Sequence, residues 1–515
     1  VDGFADATHG DPEPDHPWAG LVPALLDDAA AREPAARAVT DAGGSWTYAE
    51  LSAHSRAFDR WLRDRGVAPG ERVVVRVPTG REQVAMLYGT VRGGAVFVPL
   101  NAAMKPYHLR SVIGNAEPRL IVVDDGSVEM MRGLGPVPVY GLGEVWEQVA
   151  ALAAEGAEAE PARISAADIA VLVYTSGSTS APKAVICPHA QMTFATRSIA
   201  AVLRYRPDDV VFCRFPISWD YGLYKVLLAT LAGAELVLAD GEADLLLLKR
   251  IRECGATVVP IVPSFAQMIT TLARRESEPV TTVRMFTNTG AALSDAATEE
   301  LRRVFPGSRV VRQFGQTECK RVSIMPPEEE RERPQSVGLP LPGTRVAILD
   351  EDGRPVPAGR TGEIVVTGPH VMPGYWRAPE LTAASFRPDP ETGGTRLHTG
   401  DYGRLDEDGY LYFDGRRDDM FKRKGIRMST LEIEAAALDI PGVHAAAAVP
   451  PSGRRDLALC VETELAPHTV LKELAGRLEP AKVPASCHVF DRLPLTSHGK
   501  NERAKLAELL DGGAR

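Results

Sequence analysis

The segment VYTSGSTSAPKAV at 173–185 gathers small hydroxyl residues, a glycine and a lysine at the end of a strand pattern. Its chemistry-bearing members are Thr175, Ser176, Gly177, Ser178, Thr179 and Lys183. A loop of this kind can turn backbone N–H groups and hydroxyls toward phosphate oxygens, with the lysine adding a mobile positive charge. That chemistry suits a nucleotide polyphosphate. The GxxxxGK[ST] spacing is absent, which disfavours a P-loop NTPase. By itself such a stretch reads equally well as an ordinary connection.

Positioning that loop requires a scaffold, and its grammar is plain from Trp18 onward. LVPALLDDAAARE and YAELSAHSRAFDRWLRDRG carry the periodicity of amphipathic helices, while RVVVRV, AVFVPL, RLIVVDD, DIAVLVYT, AELVLAD and ATVVPIV read as buried strands. Such alternation predicts parallel sheets covered by helices. Between about 338 and 415 the texture changes to short strands with DEDG and EDG turns, a small antiparallel β region. A charged stretch, RRDDMFKRKGIR, then precedes a helix-like run from Ser429 and new strand patterns. The expected division is a leader over 1–17, a large domain over 18–417 and a small domain over 418–515. The leader, VDGFADATHGDPEPDHP, is too poor in apolar residues to offset its ordering entropy and is expected to be loose.

A length of 515 residues favours more than one domain, and 44% hydrophobic with 24% charged residues is an ordinary globular composition. The formal net charge of -10 argues against wholesale nucleic-acid binding. Cys187, Cys213, Cys254, Cys319, Cys460 and Cys487 show no metal-ligand spacing and read as reduced thiols. With no apolar run long enough for a membrane span and an acidic start, the expectation is a soluble cytoplasmic protein.

The loop at 173–185 resembles the phosphate loop of the adenylate-forming superfamily, which includes acyl-CoA synthetases, luciferases and nonribosomal peptide adenylation domains. Ser180 and Ala184 stand where glycines are usual. Four more motifs follow in the family order. TNTGAAL at 287–293 resembles the adenine-binding turn, with Gly290 and Ala291 against the base. FGQTE at 314–318 resembles the signature in which Phe314 stacks on adenine beside Gly315, Thr317 touches the α-phosphate and Glu318 holds Mg²⁺. LHTGDYGRLDEDGYLYFDGR at 397–416 resembles the ribose segment, with Asp401 and Arg416. PLTSHGKNER at 494–503 matches the closing loop, with Lys500 as the catalytic lysine. Any one of these is weak; five in order are not.

The resemblance implies an α/β fold: a large N-terminal domain of two helix-covered sheets plus a small β region, then a small mobile α+β C-terminal domain. It implies ATP and Mg²⁺ as cofactors, a hinge at Asp418, and Gly425 leaving room for a pantetheine arm after the small domain turns. Arg416, Arg417, Lys422, Arg423, Lys424 and Arg427 form either a solvated face or a surface that steers an acidic carrier protein or coenzyme A.

By the same resemblance the acid-binding pocket comprises Trp219, Asp220, Tyr221, Tyr224, Thr287, Thr289, Gln313, Arg321 and Val322. It is polar and small, unlike a tunnel for a long acyl chain. Amino-acid-activating members carry Asp where Asp220 stands, and a substrate ammonium would pair it; the alternative partner is local backbone or a neighbouring lysine. Arg321 either holds a second substrate carboxylate or pairs internally with Glu318 or a loop acid. The implied activity is adenylation of a small amino acid, a β-amino acid or an amino dicarboxylate such as an aspartate derivative, as in stand-alone enzymes of macrolactam polyketide pathways. No G-x-D-S attachment site follows Lys500, so the acceptor thiol is expected on a discrete acyl carrier protein or coenzyme A. The rivals are a short-chain or aryl acyl-CoA ligase and a catalytically silent carrier-binding homologue. Lys183, Glu318, Asp401 and Lys500, each suited to a charge-specific task, speak against silence.

Overall fold

β-Branched runs bounded by Gly and Pro form the central strands, and a computed structural model places them in helix-covered sheets. It describes residues 4–6, 20–104, 106–175, 183–239, 241, 243–275, 278–290, 293–391, 393–416, 420–423, 426–452, 455–478, 480, 482–495 and 501–512. One sheet runs Val139–Gly141, Leu120–Val123, Arg72–Arg76, Val96–Pro99, Ile169–Thr175, Lys183–Pro188. All of its neighbours pair in parallel except the last two, which form an antiparallel pair across the phosphate-loop segment. Val73, Val74 and Val75 are all buried, as the continuous apolar reading of a parallel strand requires.

The second sheet has a parallel centre of Arg309–Phe314, Met285–Asn288, Val258–Ile261, Val210–Cys213, Glu235–Leu238 and Arg37–Asp41, in that order. Short antiparallel strands finish both edges. Helices separate and cover the sheets. Tyr48–Asp64 begins with a capping box, Thr47 accepting from the Glu50 N–H while Glu50 reaches back to the Thr47 N–H. It packs so closely on Arg81–Arg92 that a Cβ on Gly89 would lie 2.5 Å from the Ser55 carbonyl oxygen.

The change of texture near 338 corresponds to an antiparallel sheet built on Arg345–Leu349, Gly362–Thr367 and Thr395–Leu405. Phe4–Asp6 joins its edge by pairing with Arg345, Val346 and Ala347. The segment expected to be loose throughout therefore contributes an edge strand, because edge pairing is made by backbone groups and needs no apolar side chains. Toward the C-terminus, a smaller sheet of Val443–Val449, Ala458–Thr463 and Ser486–Val489 carries the helices Thr430–Leu438, Pro467–Ala475 and Arg503–Gly512. Ile433, Leu459, Val461, Val470 and Leu474 form its own buried cluster. The fold is thus α/β, with a large N-terminal domain and a smaller C-terminal one. Among the described residues no helix is long and apolar enough to cross a membrane.

Candidate active site

Three parallel strands of the second sheet, Val210–Cys213, Met285–Asn288 and Arg309–Phe314, end on one side, and the candidate residues follow those ends. This is where open α/β sheets characteristically hold ligands. Beyond Phe314 the chain folds back tightly: a Cβ on Gly315 would sit 2.5 Å from the Lys320 carbonyl oxygen, so only glycine fits. Lys320 itself holds a left-handed φ of 67°, a costly conformation for a residue with a side chain. That turn aims Glu318 one way and Lys320 with Arg321 another.

On one side of the turn, Lys183 and Glu318 meet. Lys183 Nζ lies 3.2 Å from Glu318 Oε1 and donates to the Tyr375 hydroxyl at 2.7 Å, while that hydroxyl donates to the same Glu318 oxygen at 2.6 Å. Tyr375 is held by its backbone bridge to Val185, by the Thr382 hydroxyl accepting its N–H at 2.9 Å, and by the Phe386 ring. Burial and the adjacent Glu318 carboxylate push the Tyr375 hydroxyl far above the tyrosine range, so it remains a proton donor. Ala184 is buried within its strand, and its carbonyl accepts the Trp376 N–H at 2.8 Å.

Phe314 stacks on Phe413 with centroids 4.9 Å apart, and Gln316 donates to the Thr399 carbonyl at 3.3 Å, tying the FGQTE and TGD segments together. Asp401 is buried, its carboxylate 3.2 Å from Arg416 Nε. Glu363 shapes this turn, accepting from the Gly400 N–H at 3.2 Å and lying 3.0 Å from His398 Nδ1. Gly290 has φ 85° at its turn, a conformation that favours glycine.

On the other side, Asp220 is the first residue of the helix Asp220–Ala232, where the helix dipole favours a carboxylate. Its Oδ1 lies 2.8 Å from Lys320 Nζ, and its Oδ2 lies 3.6 Å from Arg321. The neighbouring-lysine alternative is therefore the one realised, with Lys320, wholly buried, as a partner that the motif comparison did not single out. Burial opposes the Lys320 charge, but the Asp220 carboxylate overrides it and holds the amine above the usual lysine range. Cys187 Sγ accepts from Lys320 at 3.2 Å; burial keeps this thiol protonated. Arg321 donates to Gln313 Oε1 at 2.9 Å and lies 5.1 Å from the Tyr221 ring centroid. The internal partner of Arg321 is thus Asp220, not Glu318. Tyr221 bonds Thr287 Oγ1 at 2.9 Å, and Tyr224 lies under Lys320.

Asp220, Tyr221, Tyr224, Thr287, Gln313 and Arg321 therefore form one connected cluster. Thr289 and Val322 are buried beside it in the chain, the Val322 N–H bonding the Phe314 carbonyl, and Trp219 lies at the helix N-terminus against Phe215. Thr175 begins the phosphate-loop segment, opposite Lys183 in the strand pair, and Thr317 follows Phe314 on the folded-back turn. Ser176, Gly177, Ser178, Thr179, Ser180, Ala291, Asp418, Gly425 and Lys500 lie outside the described residues, as do Arg417 and Lys424.

Motif reading missed Lys320, Tyr375 and Lys225. Lys225 carried a signal of its own, a lone charge in the apolar helix YGLYKVLLATL. The other two reveal their roles only through pairing in space, with Asp220 and with Glu318.

Comparison with known proteins adds to this geometry. The family model described as AMP-binding enzyme matches residues 26–376. The crystal structure of VinN is 57% identical with a TM-score of 0.74, covering 77% of this chain and 99% of that one. VinN in complex with L-aspartate is 56% identical at a TM-score of 0.73, and in complex with 3-methylaspartate 52% identical at 0.68, with the same coverages. ATP-bound MatB from Rhodopseudomonas palustris is 28% identical with a TM-score of 0.84, covering 96% of this chain and 100% of that one. A probable non-canonical nonribosomal peptide synthetase, CymA, of Salinispora arenicola (strain CNS-205) is 32% identical over 505 residues, 95% of this chain but 6% of its own length. The chain spans only a small part of the length of the first of its curated relatives, CymA included.

Proposed function

From the premise that this chain belongs to the AMP-binding enzyme family and is an AMP-forming ligase, we propose that its acid is an amino dicarboxylate of the aspartate type. We propose further that the aminoacyl group passes to the phosphopantetheine thiol of a separate carrier protein. The observation that carries the substrate reading is Asp220 shared between Lys320 and Arg321 at the head of a polar cluster. An amino dicarboxylate brings one ammonium and one unreacting carboxylate. The ammonium pairs with Asp220, and the carboxylate takes the place of Asp220 against Arg321 and Lys320, so every buried charge keeps a partner. An amino monocarboxylate would draw Asp220 to its ammonium and supply no anion in its place, leaving those cations under-paired. The complexes of VinN with L-aspartate and 3-methylaspartate support this choice.

In the first step an oxygen of the reacting carboxylate attacks the α-phosphorus of ATP, and the bond to the β-phosphate bridging oxygen breaks to release pyrophosphate. In the second, the thiol sulfur attacks the acyl carbon, AMP leaves with the acyl oxygen, and the thiol proton passes to solvent. Lys183 and the loop before it bind the phosphates, Phe314 and Gly290 the adenine, and Asp401 with Arg416 the ribose. Glu318 offers an oxygen donor, and among the described residues no cluster of three His, Cys, Asp or Glu stands ready for a metal. One carboxylate, with remaining ligands from phosphates and water, is a donor set that fits Mg²⁺. Bound there, Mg²⁺ neutralises phosphate charge. Lys500 is assigned to shielding the two anions as they approach, and it leaves the site before transfer when the small domain turns at Asp418.

ATP–pyrophosphate exchange over L-aspartate, 3-methylaspartate, asparagine, β-alanine and succinate tests the reading. The dicarboxylic amino acids are expected to give the highest specificity constants, and Lys500→Ala to abolish exchange with all. A panel led by asparagine or β-alanine overturns the substrate assignment.

A further inference from the structure

Lys225 lies on the helix Asp220–Ala232, one turn beyond Tyr221, and is 1% exposed. Among the described residues no carboxylate comes within ion-pair distance of it. Its Nζ donates to the Tyr205 hydroxyl at 3.2 Å and to Thr287 Oγ1 at 3.5 Å, and lies 4.7 Å from the Tyr221 ring centroid. The Tyr221 ring is also the one that Arg321 approaches at 5.1 Å. Two cations therefore border one aromatic ring, while the single carboxylate nearby, Asp220, is already shared by Lys320 and Arg321. A buried lysine without a counter-ion is costly, since burial and a like charge both disfavour its protonated form. Methionine or leucine would fill the same helix position at no such cost. A lysine placed there at that cost calls for a ligand that the charge serves.

We propose that Lys225 is a positioning residue for substrate charge, a second-line cation that acts through Tyr221, Thr287 and Arg321 to favour acids carrying an unreacting carboxylate. This rests on the amino dicarboxylate reading and deepens it. The ammonium does not touch the substrate. Through a low-dielectric interior its field adds to that of Arg321, and the second carboxylate of the substrate is the anion that completes the cluster. The groups facing Lys225 are Tyr221 on its own helix, Tyr205 after the helix His189–Leu203, Cys213 at the end of Val210–Cys213, Thr287 on Met285–Asn288 and Arg321 beyond Arg309–Phe314. Burial, then the Arg321 charge, bring its amine down to about 7. The charge is thus present below neutrality and lost above it.

The test uses the whole enzyme and the ratio of kcat/KM for L-aspartate to that for asparagine, which share an ammonium and differ in the second carboxylate. In wild type the ratio is expected to favour aspartate and to fall as pH rises through about 7, because kcat/KM reports the free enzyme. Lys225→Met is expected to lower the ratio by about tenfold through the KM for aspartate, to flatten its pH dependence, and to raise the melting temperature. A variant that melts lower and loses both substrates equally makes Lys225 structural and overturns the proposal. Should the variant not fold, the wild-type pH profile decides, and a flat ratio between pH 6 and 9 refutes it. A wild type that prefers asparagine overturns the dicarboxylate reading itself, and this inference with it.

Discussion

Two clusters of charge, one half-buried and one more deeply buried, hang from the same turn beyond Phe314, and they are balanced differently. In the first, Lys183 and Glu318 close on each other through the Tyr375 hydroxyl, one cation against one carboxylate. In the second, Asp220 alone faces Lys320 and Arg321, with Lys225 behind Tyr221. A balanced cluster rests satisfied, and a ligand opens it only by supplying partners for both charges. On the function proposed above, phosphate for Lys183 and a divalent cation for Glu318 would do so together. A cluster with surplus positive charge is unsatisfied until an anion arrives, so it selects among ligands by their charge. On the function proposed above, the same turn presents an exchange site to the nucleotide and a discriminating site to the acid.

Removing the lone carboxylate should break this contrast most severely. Asp220→Asn leaves Lys320 and Arg321 without their shared anion and deprives a substrate ammonium of its partner. Losing one member of a buried ion pair costs about 3–5 kcal/mol, so activation of L-aspartate is expected to fall roughly 100- to 1000-fold or more. Succinate, which has no ammonium, should retain its rate or gain, because Lys320 is freed for a substrate carboxylate. Pyrophosphate exchange with both acids checks this, and equal losses would make Asp220 a structural residue. Arg321→Leu acts on the other sign. It leaves the second carboxylate under-paired and is expected to shift preference from aspartate toward asparagine by roughly a hundredfold. An unchanged preference would mean that Arg321 serves only Asp220 and Gln313.

The extent to which these clusters are legible in the sequence follows from the range of the interactions. The phosphate loop, the FGQTE turn and the TGD segment are local patterns; the first two follow strand ends that periodicity already marks, and the third lies within the strand Thr395–Leu405. Lys320 stands next to Arg321 in the chain, yet its partner Asp220 is brought to it by the parallel pairing of strands far apart in sequence. Tyr375 is of the same kind: its bridge to Val185, a residue far away in the chain, places the hydroxyl between Lys183 and Glu318. Phe4–Asp6 was illegible for another reason, since edge pairing depends on backbone groups that composition does not reveal. Asp220 was legible as an amino-acid signal with a neighbouring lysine as the alternative partner, but which lysine engages it, Lys320, was not.

Tyr375 offers the smallest and sharpest test of the balanced cluster. Its ring is fixed by the bridge to Val185 and by Phe386, so Tyr375→Phe should remove the hydroxyl without moving the scaffold. A hydrogen bond to a charged group is worth about 1.5–3 kcal/mol, and two such bonds meet at this oxygen. The direct contact of 3.2 Å between Lys183 and Glu318 survives the substitution and offsets part of the loss. If the hydroxyl holds both side chains in the positions that nucleotide and cation require, the variant should bind Mg²⁺ and ATP together about tenfold more weakly, with the KM for the acid unchanged. Calorimetric titration with ATP in the presence and absence of Mg²⁺ separates this from a general loss of stability. Tighter nucleotide binding would carry the opposite meaning, that the hydroxyl latches the resting pair shut and that opening it opposes ATP.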